Sequence, residues 1–127
     1  MIMEIEISNL NDIEKVSNLL HEATFSKEDI HYNNEQKIFH LNAIRYMWER
    51  EERKGLFRTL KAPWIKCKLE LLEVLDYKID EREKIDTYEF YSITVQAKNL
   101  LTIQTVVGIE IQLKIDGIKG FLQDIGK

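Results

Sequence analysis

Apolar and polar residues alternate most regularly in one stretch near the C-terminal end of the chain. Between residues 109 and 115 every second side chain is apolar and those between are polar: Ile109, Ile111, Leu113 and Ile115 against Glu110, Gln112 and Lys114. Strict alternation predicts a strand with one buried face. Asp116-Gly117 follows at once, and this pair favours a tight hairpin because both central residues of a type I′ turn need positive φ. We therefore predict antiparallel β structure here.

Stripes of the same period cover most of the chain from residue 65 onward, at 65–79, 91–97 and 101–105, and a short one opens the chain at 1–7. At Leu71-Leu72 the apolar phase shifts by one residue. Such a shift inverts the two faces of a strand, so it predicts a β-bulge or bend there. The connections between stripes are short, so strands adjacent in sequence are expected to pair in space.

One segment near the N-terminus has a helical period instead. Its apolar residues recur every three or four positions: Leu10, Ile13, Val16 and Leu20. We predict a helix at about 11–20, with Asn11 and Glu14 at the spacing of a capping box. Farther along, residues 30–41 have the pattern of a hairpin around a polar loop.

Together these elements predict an α+β fold that is mainly antiparallel β. One N-terminal helix packs on or beside six to eight strands, which form a sandwich or a strongly curved sheet. A closed barrel with a small internal cavity is the alternative. The length of 127 residues fits a single domain, 1–127.

The composition narrows the classes of partner. The chain carries 18 basic and 22 acidic residues, for a formal net charge of −4. A nucleic-acid binder normally presents a basic face, so nucleic acid is not an expected partner. No apolar run approaches the roughly 18 residues of a membrane span, and the first seven residues are too few and too acidic for a secretory signal. We therefore expect a cytoplasmic location and no membrane partner.

Cys67 is the only cysteine, so no disulfide can form within the chain. Its place in the apolar phase of a stripe predicts a buried structural thiol, which fits a reducing cytoplasm. Lys66 and Lys68 point to the opposite face, so a nucleophilic thiol is not expected. The sequence has no glycine-rich phosphate motif, and no cofactor is predicted.

The candidate polar cluster consists of His21, Glu22, Asp29 and His31. Imidazoles and carboxylates are the groups that bind zinc or act as a general acid–base pair. Their spacing is unlike that of known metal motifs, because no two histidines share one element at ligand spacing. We therefore predict no metal site and no catalytic residue, and interpret the histidines as exposed or capping groups.

The candidate interface is aromatic, and consists of Trp48, Tyr88, Phe90 and Tyr91. Tryptophan and tyrosine are enriched at binding hot spots, which favours a recognition surface. Trp48 and Trp64 flank the segment 49–62, which begins with six charged residues, and the other interpretation is that they close the end of a sandwich. Aromatic residues on both faces of the strand around residue 90 indicate that both faces are covered, by the helix, by a second sheet or by another chain. Because one short helix cannot cover a whole sheet, we expect a homodimer or a partner protein that uses part of this surface.

The segment Leu20-His21-Glu22-Ala23, followed by Asp29-Ile30 and the hairpin, resembles the opening of several small bacterial domains with an LHDA-type motif. Those families include uncharacterised domains and some immunity proteins of toxin systems. The resemblance covers residues 10–45, and Glu22 stands where those families usually have Asp. It implies binding of a partner protein and carries no catalytic residues.

Two functions follow from these observations. The first is a non-enzymatic cytoplasmic protein-interaction module, of inhibitor or immunity type, that binds a partner protein or forms a homodimer. The second is a small-molecule-binding or enzymatic barrel that uses His21, Glu22 and His31. A ligand binder or enzyme needs polar side chains that converge in a concave pocket, whereas an interaction module needs an exposed aromatic patch.

Overall fold

The computed structural model describes residues 3–50, 52–54, 58–60, 63–97 and 99–126, and in them the chain forms an α-helix and twelve strands. The helix is α1 (Leu10–Leu20). The strands are β1 (Glu4–Ile7), β2 (Thr24–Phe25), β3 (Ile30–Asn33), β4 (Ile38–Tyr46), β5 (Glu52–Lys54), β6 (Arg58–Leu60), β7 (Trp64–Leu71), β8 (Val74–Glu81), β9 (Tyr88–Gln96), β10 (Leu100–Thr105), β11 (Ile109–Ile115) and β12 (Gly120–Gly126).

Ten of the described strands form one antiparallel sheet, in the order β1-β12-β7-β4-β2-β9-β10-β11-β8, with β3 also paired to β4. The hairpin of β5 and β6 pairs separately. The two-residue strand β2 joins two halves of the sheet, because Thr24 pairs with Ile44 of β4 and Phe25 pairs with Tyr88 of β9. The predicted α+β class and antiparallel pairing are confirmed. The predicted number of six to eight strands is too low, since the stripe at 65–79 forms two strands, β7 and β8, and the two-residue β2 is too short to show an alternation.

The chain passes from the first half of the sheet to the second between β7 and β8, and returns between β11 and β12. The two crossings are hydrogen-bonded to each other. The Asp116 N–H donates to the Glu73 carbonyl at 3.0 Å, and the Leu72 N–H donates to the Lys119 carbonyl at 2.8 Å. These two connections, at residues 72–73 and 116–119, form a pair of adjacent corners. The strands β7, β8, β11 and β12 meet there.

These corners decide one prediction and correct another. Of the bulge or bend predicted at Leu71-Leu72, the structure has the bend: β7 ends at Leu71, and Glu73 turns the chain with a positive φ of 55°. Asp116-Gly117 is a corner as well, not a hairpin, because β12 pairs with β7 and β1 instead of β11. Strands adjacent in sequence do pair at β3–β4 and β9–β10–β11.

The helix α1 lies where the period predicted it, but its cap differs. Asn9 is the N-cap, and its side-chain oxygen accepts a hydrogen bond from the Asp12 N–H at 2.9 Å. The predicted capping box of Asn11 and Glu14 is wrong, because the helix begins one residue earlier than expected. Eleven residues are too short for a membrane span, and no helix in the described residues is long and apolar enough to cross one.

One apolar face of α1 packs against β9. The helix buries three side chains of that face: Ile13, Val16 and Leu20. The Ser17 hydroxyl accepts a hydrogen bond from the Ile93 N–H at 3.1 Å, so the helix is also bonded to the backbone of β9. α1 therefore covers part of the second half of the sheet.

The core lies between the helix and the inner faces of both halves. In β11 the predicted inner stripe is confirmed, since its four apolar side chains are at most 4% exposed: Ile109, Ile111, Leu113 and Ile115. Of the residues between them, Lys114 is exposed, whereas Glu110 and Gln112 are half-buried. Each residue of the β11 stripe therefore faces the side predicted from the alternation.

The sheet curls until β3 and β8 approach each other. The Tyr32 hydroxyl of β3 donates to the Val74 carbonyl of β8 at 2.7 Å, and the rings of Tyr32 and Tyr77 lie 4.9 Å apart. The hydrogen-bonded order nevertheless ends at β1 and β8 in the described part of the chain. The architecture is a strongly curved sheet whose sides are joined here by the Tyr32 side chain and by one backbone bond, from the Val74 N–H to the Lys37 carbonyl at 2.8 Å, rather than by a continuous ladder.

Candidate functional site

The four residues of the predicted polar cluster lie in different surroundings. His21 and Glu22 are exposed in the turn after α1, where Glu22 adopts a left-handed conformation with φ 69°. Asp29 ends a short 3-10 turn and accepts hydrogen bonds from the backbone N–H and hydroxyl of Ser26, at 2.9 and 3.1 Å. His31 lies on β3 and contacts a different histidine. No hydrogen bond or ring contact among the described residues joins His21 to His31.

His31 stands directly opposite His40 in the ladder of β3 and β4. The two ring centres are 4.7 Å apart and the planes are tilted by 33°. His40 in turn pairs with Glu70 of β7. Burial and the neighbouring His31 lower the pKa of His40, so its imidazole is neutral at neutral pH. Within the described residues, no group of three histidine, cysteine or acidic side chains is already arranged to hold a metal ion.

Aromatic rings form a continuous row across one side of the molecule. In order, the rings of this aromatic row belong to Trp64, Tyr46, Trp48, His21 and Tyr91. Successive ring centres are 5.3, 4.6, 6.3 and 6.0 Å apart, and most of the pairs meet edge to face. Trp64 and Tyr91, at the two ends, are 49% and 55% exposed. The row therefore presents its largest aromatic surfaces to solvent at its two ends, whereas Tyr46 within it is buried and Trp48 is half-buried.

Hydrogen bonds to backbone atoms hold the centre of the row. The indole N–H of Trp48 donates to the His21 carbonyl at 3.1 Å. Nδ1 of His21 lies 3.3 Å from the Tyr91 carbonyl, to which it donates in the tautomer that carries the proton there. These bonds connect the turn after α1 with the end of β4 and with β9. They hold the Trp48 indole and the His21 imidazole, at the centre of the row, in place.

The aromatic row contains part of the predicted interface and corrects the rest. Trp48 and Tyr91 belong to it, and His21 joins the two. Tyr88 and Phe90 are each 1% exposed and lie in the core, so the prediction that they form part of a surface is wrong. The reason is the face of β9 that turns inward: residues 88 and 90 pack under the helix and the sheet, whereas Tyr91 points outward.

Sequence reasoning missed a buried ionic cluster beneath the row. Arg45 is fully buried, and its guanidinium binds Asp124 through Nε and Nη2 at 2.8 and 2.9 Å. On its other side it binds Glu49 through Nη1 and Nη2 at 3.0 and 2.6 Å. Burial lowers the pKa of Arg45, but the hydrogen bonds to Asp124 and Glu49 outweigh that effect and raise the pKa above its ordinary value. Glu49 directly follows Trp48, so this cluster also fixes one member of the row.

A signal for this cluster was present in the sequence. The buried positions of β4 are the odd ones, and the stripe Phe39, Leu41, Ala43 continues to Arg45. In β12 the even positions are buried, so the same alternation brings Asp124 to the inner face after Leu122. A charge in the inward phase of each of two strands indicates a buried ion pair, because an isolated buried charge is too costly.

Two of the depressions in the described surface lie beside residues considered above. One, of about 510 Å³, includes Asp29 and Lys66 and has Cys67 in its lining. The second, of about 560 Å³, begins at Tyr91 and includes Val106 and Val107, which are 58% and 51% exposed. The second depression therefore extends the apolar surface of the aromatic row beyond its Tyr91 end.

Cys67 lies beneath the first depression and is 1% exposed. Burial raises the pKa of its thiol to about 12, and the nearby Arg45 lowers it only in part. A thiol with such a pKa carries almost no thiolate at neutral pH, so it is a poor nucleophile. The predicted structural role of Cys67 fits this environment.

One comparison with known proteins gives a match. Residues 5–127 match the model of a family described as "Protein of unknown function (DUF2948)". No curated protein matches the chain, and no solved structure matches it. The family match covers nearly the whole chain, and it adds no residue roles to the site.

Proposed function

This chain belongs to the DUF2948 family, and from the geometry of its surface we propose that it is a non-enzymatic protein-interaction module. Its partner is a protein segment that binds along the aromatic row. The observation that carries the proposal is the exposure of Trp64 and Tyr91 at the ends of one continuous line of rings. Large exposed aromatic side chains are the commonest hot spots of protein interfaces.

Rigidity supports this role for the row. A side chain that is already held in place loses little conformational entropy on binding, so more of its contact energy appears as affinity. The Trp48 indole is held by the His21 carbonyl, and the Trp48–Glu49 turn is held by the buried Arg45. The apolar surface also continues past Tyr91 to Val106 and Val107, which gives a partner more area to cover.

The charges beside the row indicate the chemistry of the partner. Glu22 and Glu89 are both exposed near its Tyr91 end, since the Glu22 N–H bonds to the Phe90 carbonyl and Glu89 pairs with Thr24. The net charge of −4 has the same sign. We therefore propose a partner segment rich in Lys or Arg, whose cations bind the carboxylates and the aromatic faces. A cytoplasmic location and an inhibitor or immunity-type role are finer proposals that rest on this one.

The alternative function, an enzymatic or ligand-binding barrel, has lost its supporting argument. It required His21, Glu22 and His31 to converge, but His21 contacts Trp48 and Tyr91 while His31 contacts His40. The depression that contains Asp29 has no histidine in its lining. We therefore do not assign these residues an acid–base role.

The chain has a built-in reporter for the test. Trp48 and Trp64 are its only tryptophans, and both belong to the row. We would select peptides from a random library on the immobilised protein and titrate the selected peptides while recording tryptophan emission. We expect sequences enriched in Lys and Arg, a shift of the emission, and binding that weakens as salt is raised, because the charges are exposed.

Variants then locate the binding surface. Tyr91→Ser should weaken peptide binding by about 2 kcal/mol, roughly thirtyfold, as expected for a hot-spot residue. Leu75→Ser is the matched control: Leu75 is also exposed, at 42%, but lies on β8 outside the row, so affinity should not change. Selected peptides that bind both variants equally, or an absence of selected peptides, would contradict the proposal. If the chain self-associates in sedimentation equilibrium and Tyr91→Lys abolishes the association, the partner is a second copy of the chain and not a basic segment.

A further inference from the structure

Outside the aromatic row, two of the three histidines of the chain lie side by side on another surface. His31 and His40 face each other across β3 and β4, on the outer face of the sheet. Their ring centres are 4.7 Å apart. Two imidazoles that share one tetrahedral zinc at Zn–N distances of about 2.0–2.1 Å hold their ring centres roughly 5 Å apart. The pair is therefore already near the separation that a shared metal ion requires.

We propose that His31 and His40 form a two-imidazole binding site for a divalent transition cation, with Zn²⁺ as the ion to test. Imidazole nitrogen is a preferred ligand of zinc and its neighbours in the first transition series. His31 is exposed and His40 is half-buried, so an ion reaches the pair directly from solvent. The site is independent of the protein-interaction surface.

A carboxylate is available as a third ligand. Glu70 of β7 stands opposite His40 in the ladder, so His31, His40 and Glu70 follow one another across three adjacent strands on one face. The Glu70 carboxylate now lies 3.5 Å from the Lys68 ammonium, with both side chains partly exposed. An exposed ion pair of this kind contributes little stability, so the carboxylate is able to turn toward an ion at the imidazoles. Two histidines, one glutamate and a water are a common zinc coordination set.

The pairing of β3 and β4 already places the two imidazoles side by side, with their ring centres 4.7 Å apart. The strands hold both rings in place, so little ordering is needed when an ion binds.

The test is a calorimetric titration of the untagged, metal-free chain with Zn²⁺. His21, His31 and His40 are its only histidines, so each one can be tested separately. We expect one zinc per chain, with affinity at least tenfold weaker in His31→Gln and in His40→Gln. His21→Gln is the matched control and should bind zinc as the unchanged chain does. Mg²⁺ should not bind, because it prefers oxygen ligands.

A second measurement guards against variants that fold poorly. Zinc should raise the thermal midpoint of the unchanged chain, because an ion that binds only the folded state stabilises it. The same zinc concentration should leave the midpoint of His31→Gln unchanged, and His31 is exposed enough for this variant to keep the fold. The proposal is overturned by an absence of zinc binding, by equal affinity in both pair variants and the unchanged chain, or by loss of the zinc in His21→Gln.

Discussion

Arg45 and Asp124 form an ion pair in which neither side chain has any exposed surface, with Nε 2.8 Å from Oδ1. A second bond joins Nη2 and Oδ2 at 2.9 Å, so the contact is bidentate. Asp124 also accepts a hydrogen bond from the Met3 N–H at 3.3 Å. The pair therefore links β4 to β12 and to the residue before β1, directly beneath the turn that carries Trp48.

Removing Arg45 should be costly because it leaves the Asp124 carboxylate buried without a cation to balance its charge. We expect Arg45→Met to lower the free energy of unfolding by about 3–5 kcal/mol, measured by urea denaturation. Tryptophan emission of the folded variant should also change, since Glu49 loses the guanidinium that fixes the Trp48–Glu49 turn.

A double variant tests whether the loss of stability comes from the buried charge that Arg45→Met leaves unbalanced. Arg45→Met combined with Asp124→Leu removes both charges, so its loss should be smaller than that of Arg45→Met alone. Lys27→Met is the exposed control: Lys27 forms a 2.7 Å ion pair with Glu81 but is 54% exposed, so its loss should be much smaller than that of Arg45→Met. Equal losses in Arg45→Met and Lys27→Met would contradict the role given to the buried cluster.

Cys67 should react slowly with a thiol reagent in the folded protein and rapidly after unfolding. Its sulfur is buried, and burial raises the pKa of the thiol to about 12. Only the thiolate attacks the reagent, and in the folded chain it is scarce at neutral pH. Colorimetric labelling with and without urea measures both rates. Rapid labelling of the folded chain would refute the structural role.

The same thiol predicts how stability changes in alkaline solution. In the unfolded chain Cys67 ionises near 9.0, whereas in the folded chain its pKa is about 12. Between these values the unfolded state has lost the proton and the folded state keeps it, so rising pH lowers the free energy of unfolding. The slope contributed by this group is up to about 1.4 kcal/mol per pH unit. Cys67→Ala should remove that slope between pH 9 and 10. The substitution also changes the free energy of unfolding at neutral pH, but that change is the same at every pH and leaves the comparison of slopes intact.

Glu22→Gly should stabilise the fold. Glu22 has a φ of 69°, a left-handed conformation that costs a residue with a Cβ about 1–2 kcal/mol and costs glycine nothing sterically. Part of this gain is lost because glycine makes the unfolded chain more flexible, so we expect a net gain of about 0.5–1 kcal/mol in urea denaturation.

Lys15→Gly provides the control of opposite sign. Lys15 is exposed within α1, where glycine is a poor helix former, so the variant should lose about 0.5–1 kcal/mol. Destabilisation by both substitutions would show that the Glu22 side chain makes contacts worth more than the backbone strain.

Gly120→Ala should destabilise the fold by about 1–3 kcal/mol. A Cβ at Gly120 would collide with the backbone carbonyl oxygen of Glu70, which cannot rotate aside as a side chain does. Gln123→Ala, at an exposed position of the same strand, should change stability by no more than about 0.5 kcal/mol. The melting temperatures of the two variants provide the comparison, and equal values would contradict the close approach.

The sequence alone determined the local elements of this protein. Alternation predicted the buried face of β11, the helical period predicted α1, and a polar loop between apolar runs predicted the hairpin of β3 and β4. Each of these signals arises within a few residues, because side-chain direction follows from the local backbone geometry of a strand or helix. The same alternation also places Arg45 and Asp124 at inward-facing positions, but it did not lead to a predicted ion pair.

The tertiary structure decided which elements meet. Arg45 and Asp124 are 79 residues apart in sequence, and the aromatic row collects rings from positions 21 to 91. A local period says which face of a strand is buried but not which strand lies beside it, so it could not distinguish a bulge from a corner at Leu72. Pairing is set by the packing of the whole core, and that packing buried Tyr88 and Phe90 while it left Tyr91 in solvent.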